Sequence, residues 1–116
     1  MANDSAKRQM TALRGCGQAE QIIYRPAGKP GAPESGMPRE ITAIVDRGPP
    51  EDILHARAPA LRVSVLNDEI DGISAALLDV GADRIDAAER FGGSRQTRGI
   101  QTVLQQDADW LTLLVQ

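Results

Sequence analysis

Apolar and polar residues alternate along this chain in a way that marks one short helix followed by a series of short strands. Ala6, Met10 and Leu13 recur at helical spacing and give residues 3–13 one apolar stripe. Asn3, Asp4 and Ser5 offer side-chain oxygens to the free amides of a first turn, and Gly15 and Gly17 stop the helix. Three apolar residues bury little, so the helix must lie against its own domain or a neighbouring subunit.

A period of two then takes over. "QIIYRP" (21–26) reads as a first strand and "REITAIVDR" (39–47) as a second, with Ile41, Ala43 and Val45 on one face and Thr42 and Ile44 on the other. "LRVSVL" (61–66) places Leu61, Val63 and Val65 on one face. "DRIDAAE" (83–89) turns Ile85 and Ala87 inward and leaves Asp86 and the following Arg90 wet. "TRGIQTVL" (97–104) aligns Ile100, Thr102 and Leu104. "WLTLLV" (110–115) is apolar on both faces, which predicts a central or covered strand. "ISAALLDV" (73–80) suits a helical turn as well as a strand. "NDEIDG" (67–72) reads as a solvated turn, "RFGGSRQ" (90–96) as a hairpin connection and "QQDAD" (105–109) as a turn.

Two segments break the strand pattern. Residues 27–38 hold Pro30, Pro33 and Pro38 among glycines and cannot sustain a ladder of hydrogen bonds. Residues 46–60 form a second long connection, and such connections in a small domain tend to be functional or flexible. The pattern predicts a mainly β protein: a small antiparallel β-barrel or sandwich with a short N-terminal helix and two long loops. Residues 1–17 are the helical segment and 18–116 a single β domain.

Composition narrows the options. Leu, Ile, Val and Phe make up 26 of 116 residues, and Tyr24, Phe91 and Trp110 are the aromatics. A core this thin gains from burying surface against partner subunits. The net charge of −3 and the few aromatics argue against a nucleic-acid or ligand-binding barrel, which needs stacking rings on a basic face. One cysteine, Cys16, excludes an intrachain disulfide and suits a reducing compartment. No apolar run has the length of a membrane span, and the first ten residues lack the apolar stretch of a secretion signal. The expectation is a soluble protein made in the cytosol.

Candidate chemistry is sparse. "NDEIDG" sets Asn67, Glu69 and Asp71 at alternate positions before Gly72, as in a calcium loop, but the twelfth position is Leu78 rather than a bidentate Glu. His55 is the single histidine, and nothing local pairs it with Cys16. "RGCGQAE" and "RFGGSR" match neither the phosphate-binding loop nor the dinucleotide fingerprint. Asp79, Asp83, Asp86 and Glu89 do not converge by local geometry, since Asp86 and Glu89 face opposite sides of a strand. They read as a solvated face. Lys29, Arg47 and Arg57 could contact DNA phosphates or a partner's carboxylates, and their spacing does not choose. No catalytic residue, metal or cofactor follows.

From Tyr24 to Val115 the order of motifs resembles the small head–tail joining proteins of long-tailed bacteriophages, the lambda-like head-completion or stopper group. "VGADRI" is similar to that group's Gly-Asp-x-Ile step: Gly81, Asp83 and Ile85 stand in its places, with Ala82 inserted. Ile100, Val103, Asp107, Asp109, Leu111 and Leu113 match the closing hairpin, although Thr97 or Arg98 stands where that group often has an aromatic. "ITAIVDRGPPE" resembles the second strand and the long loop after it. The resemblance implies a non-enzymatic virion protein, assembled in the host cytoplasm as a homo-oligomeric ring, commonly a hexamer, at the head–tail junction. Its neighbours would be portal or adaptor proteins on the head side and tail terminator or tail proteins on the other, with packaged DNA in the channel. Arg47, Glu51, Asp52, His55 and Arg57 would then lie on the partner- or channel-facing loop, and Lys29, Glu34 and Arg39 on a second contact segment. A tail or tail-tip component is the alternative that the same small barrels allow.

Overall fold

The computed structural model describes residues 4–15, 17–28, 36–46, 61–88 and 93–116. One helix, α1 (Asp4–Gly15), is followed by six strands: β1 (Glu20–Arg25), β2 (Arg39–Asp46), β3 (Leu61–Leu66), β4 (Arg84–Ala88), β5 (Arg95–Gln106) and β6 (Trp110–Val115). Every pairing is antiparallel, and the order β1-β2-β3-β6-β5-β4 closes on itself as a barrel. Two three-stranded meanders, β1–β3 and β4–β6, are joined along two seams. The β3–β6 seam has six residue pairs, from Leu61 opposite Val115 to Leu66 opposite Trp110. The β1–β4 seam has three: Ile23 with Asp86, Tyr24 with Ile85, and Arg25 with Arg84.

The inward positions fill the barrel. Leu61, Val63 and Val65 meet Val115, Leu113 and Leu111 across the long seam, and all six are fully buried. Ile22, Ile41, Ala43, Ile85, Ala87 and Ile100 complete the core. This is the alternation the sequence predicts, and Val45 also packs against the core. The outer side of β6 is half-buried, and at its start Trp110 packs with Ala6, Met10, Leu13 and Leu66 where α1 lies against the barrel. The helix thus uses the predicted stripe. It ends at Gly15, and Gly17 just beyond has a φ of 80° that suits glycine and an amide that bonds to Arg14 O at 3.2 Å.

β5 departs from the expected alternation. Its register against β6 shifts between Ile100 and Thr102 and again between Val103 and Gln105. Each bulge inserts a residue and reverses the faces that follow. Ile100 stays buried, Val103 takes the next core position, and Thr102 and Leu104 are exposed.

The connection from β3 to β4, residues 67–83, folds over one end of the barrel. Its Ile73 is fully buried, and Ala75, Leu78 and Val80 pack against the core. Of the two forms weighed for residues 73–80 it takes the helical turn, for Ser74 O accepts from Leu77 N at 3.1 Å and Leu78 N at 3.0 Å, and the rest is a run of further turns. The turn that starts it is exposed at residues 69–71, as expected, but is anchored by a buried carboxylate. Asp68 is 1% exposed, and its Oδ1 accepts from Ile70 N at 2.8 Å and Asp71 N at 3.2 Å. Lys7 of α1 approaches Asp68 Oδ2 at 3.3 Å and Asp71 Oδ2 at 3.2 Å. The two backbone amides, with Lys7 behind them, hold the Asp68 carboxyl below the usual carboxylate range, whereas burial alone would raise it.

Gly72 closes this turn against the end of β3. A Cβ there would lie 1.9 Å from Leu66 O. Because the obstacle is backbone, no rotamer change relieves it. Gly72→Ala should cost about 3 kcal/mol or more by thermal or urea unfolding, against a few tenths for Gly81→Ala at an open position.

Candidate functional site

At the capped end of the barrel, three parts of the chain converge. β1 runs out through Pro26 to Gly28, the chain returns at Gly36 and enters β2 at Arg39, and the 67–83 connection lies beside both. They enclose an open groove of about 550 Å³ lined mainly by Tyr24, Pro26, Met37, Arg39, Ile70 and Leu77. Met37, Ile70 and Leu77 are 63%, 71% and 53% exposed, which concentrates unusual apolar surface in one place. The two limbs of chain at its rim touch, for a Cβ on Gly36 would sit 3.4 Å from Gly28 Cα.

Asp83 builds the floor. It is 2% exposed, just before β4. Its Oδ2 accepts from Tyr24 Oη at 2.5 Å and Asp79 N at 3.0 Å, and its Oδ1 accepts from Ala27 N at 2.8 Å. The carboxylate therefore ties the exit of β1 to the turn that starts β4. Arg39 lies over the Tyr24 ring, 5.2 Å from its centre, and donates to Ile70 O at 2.9 Å. This ties the backbone of the turn that carries Ile70 to the groove wall.

Asp86, one turn of the pleat further along the short seam, makes a second stitch. Its Oδ2 accepts from Arg25 Nε at 2.8 Å and its Oδ1 from Thr97 Oγ1 at 2.7 Å. The sequence reading of Asp83 and Asp86 as a solvated face is corrected here: both are buried. Three of the five donors, Tyr24, Arg25 and Ala27, come from residues 56 to 61 positions away, whereas Thr97 is 11 and Asp79 four positions away. Ile85 and Ala87 do point inward, as expected. Asn67 Oδ1 accepts from Ala75 N and its Nδ2 donates to Asp107 O, so the residues of the calcium-like motif serve as tie points. Among the described residues no group of three or more His, Cys, Asp or Glu is placed to hold a metal ion.

Of the residues singled out from sequence, Arg39 is in β2 at the groove, with its guanidinium engaged inside the chain. Arg47, Glu51, Asp52, His55, Arg57, Lys29 and Glu34 lie outside the described residues, as do Cys16, Glu89 and Arg90. The groove itself was missed. Met37, Ile70 and Leu77 are isolated in turn-rich sequence and belong to no periodic stripe, so only the closure of the barrel brings them together. No helix among the described residues is long and apolar enough to cross a membrane. No protein-family model, curated protein or solved structure matches the chain.

Burial, and then the bond to Asp83, push the Tyr24 phenol well above its ordinary pKa of 10.0. The unfolded chain gives up this proton first. The associated stability is therefore whole below pH 10 and is lost as pH rises from there through the folded-state value. Tyr24 is the single tyrosine, so phenolate absorbance follows it directly. Ionisation should be delayed to the alkaline unfolding transition. Tyr24→Phe should cost about 1–3 kcal/mol at neutral pH, because buried Asp83 loses a donor, and should flatten the alkaline loss of stability in a Lys7→Gln background. That background removes Lys7, the other raised group among the described residues, which its bonds to Asp71 and Asp68 hold charged to higher pH.

Proposed function

We propose that this protein is a structural component of a tailed-phage virion, forming a ring at the head–tail junction that completes the head and docks the tail. One geometric observation carries the reading beyond the resemblance in motifs. The two long connections belong to opposite ends of β2: residues 28 and 36 bracket one at the capped end, and residues 46 and 61 bracket the other at the far end. A subunit stacked between two different neighbours needs contact segments at both ends of a rigid body, and this chain has that layout.

The closed wall supports the same reading. A barrel offers no free strand edge, so association must use its walls and ends. Closed rings form when each subunit meets the next through two different surfaces. In this role the segment holding Arg47, Glu51, Asp52, His55 and Arg57 faces the channel or a neighbouring ring. The segment holding Lys29 and Glu34, with Arg39 at its base, meets the other neighbour.

The test is the particle. In virions of the phage that encodes the chain, labelled protein should map to a six-fold ring between portal and tail. Particles assembled without it should be heads that lose DNA and carry no tails. Tailed, infectious particles lacking the chain, or a location in the tail tip, would overturn the assignment. Replacing residues 47–60 with a short Gly-Ser linker should abolish tail joining while leaving the circular dichroism of the free protein unchanged.

A further inference from the structure

Four large apolar side chains are exposed among the described residues: Met37, Ile70, Leu77 and Leu104. The first three share the groove at the capped end of the barrel. They come from two separate connections, yet the fold gathers them on one surface and leaves each more than half in water. Apolar surface concentrated in this way marks a binding site. The groove's volume of about 550 Å³ falls in the range of ligand-binding clefts, about 300–1,000 Å³. Its apolar side chains are exposed rather than enclosed. A small molecule would leave much of them wet, whereas a segment of another protein covers all three together.

Charge and shape select the segment. The ionisable side chains that line the groove, besides Tyr24, are Arg39, Glu69, Asp79 and Asp83. Arg39 is engaged, lying over Tyr24 and donating to Ile70 O, and Asp83 is buried in the floor. Glu69 and Asp79 are exposed on the rim, and neither is in an ion pair among the described residues. A partner that covers the groove meets this negative charge, so complementarity calls for Lys or Arg beside its apolar residues. The barrel is closed and leaves no described strand edge free to take an added strand. Polyproline segments dock in aromatic-lined grooves, and the exposed lining here is aliphatic. What remains is a helix that lays an apolar face into the groove. Two nearer occupants do not fit. Residues 29–35 of the chain itself, "KPGAPES", hold no large aliphatic or aromatic side chain. A second copy offers Leu104, the remaining large apolar side chain exposed among the described residues, but Asp107 and Asp109 follow it with the same sign as the rim.

We propose that this groove is the docking site for a basic amphipathic helix of a different protein. The aliphatic stripe of the helix seats on Met37, Ile70 and Leu77, and Lys or Arg beside the stripe meets Glu69 and Asp79. The site is preorganised. Asp83 ties Ala27 to the turn at Asp79, and Arg39 holds the backbone at Ile70, so the described walls are fixed before the helix arrives. Aliphatic contact supplies the affinity, and the two carboxylates govern which helices are admitted and how fast. The inference rests on the groove alone and goes beyond the virion reading.

Synthetic peptides and the full-length chain test it. The probe is a dye-labelled peptide of Leu and Lys, about fifteen residues long, with Leu at helical spacing. Its counterparts are the same peptide with Glu for every Lys, and a scramble of the Lys peptide that breaks the stripe. By fluorescence anisotropy the Lys peptide should bind at least about tenfold more tightly than either counterpart, and less tightly as salt rises. Ile70→Lys and Leu77→Lys should each weaken it at least about tenfold. Both positions are exposed, so thermal unfolding of these variants should match that of the unaltered chain. Glu69→Lys should weaken binding of the Lys peptide and strengthen that of the Glu peptide. Leu104→Lys, away from the groove, should change neither. Absence of binding, equal binding of the Lys peptide and either counterpart, or an affinity that Ile70→Lys and Leu77→Lys leave unmoved would overturn the proposal. So would self-association of the unaltered chain, seen by sedimentation velocity and abolished by Ile70→Lys, since a second copy would then be the occupant.

Discussion

The fold depends on how its shorter non-local seam is held. β1 and β4 meet through three residue pairs, too few backbone bonds to close a barrel by themselves with any margin. Asp83 and Asp86 add the rest from side chains, tying Tyr24, Arg25, Ala27, Asp79 and Thr97 across or beside the seam. Bonds to a carboxylate are stronger than neutral ones, and a buried carboxylate left without donors is expensive. The stitching is therefore cooperative: the seam is sound with all its donors in place and costly with one missing. The same Asp83 fixes the floor of the groove, so wall closure and the shape of the outer surface share one cause.

That arrangement explains what could be read from the sequence. Strands β2, β3 and β4 were legible because their inward residues alternate, β1 and β6 because they are short apolar runs bounded by turn signals, and α1 because Ala6, Met10 and Leu13 keep helical spacing. β5 was misread beyond Ile100 because its bulges leave no mark in a pattern of Gln, Thr, Val and Leu; they exist only in the register with β6. The carboxylates were misread for a related reason. Local geometry shows which way Asp86 points, but not that Arg25 and Thr97 come to meet it there. The groove was hidden altogether, since its apolar residues are single exposures in three separate turns.

Closure also shapes the kind of interaction the protein can offer. An open sheet would recruit partners by adding strands at its edge. Here the hydrogen-bonding capacity of the wall is used internally, and what remains among the described residues is a polar exterior with an apolar concavity and two pairs of chain ends emerging at opposite poles. Surfaces of that kind favour packing of preformed bodies over mutual refolding.

The close approach of Gly28 and Gly36 has a consequence for how such a protein can change. Where a loop leaves and returns through one narrow neck, its entry and exit geometry is independent of its length, and each doubling of length costs only about 0.6 kcal/mol of closure entropy. The sequence between those two glycines can be lengthened, shortened or exchanged without disturbing the barrel. Change there leaves the stitched wall beneath constant.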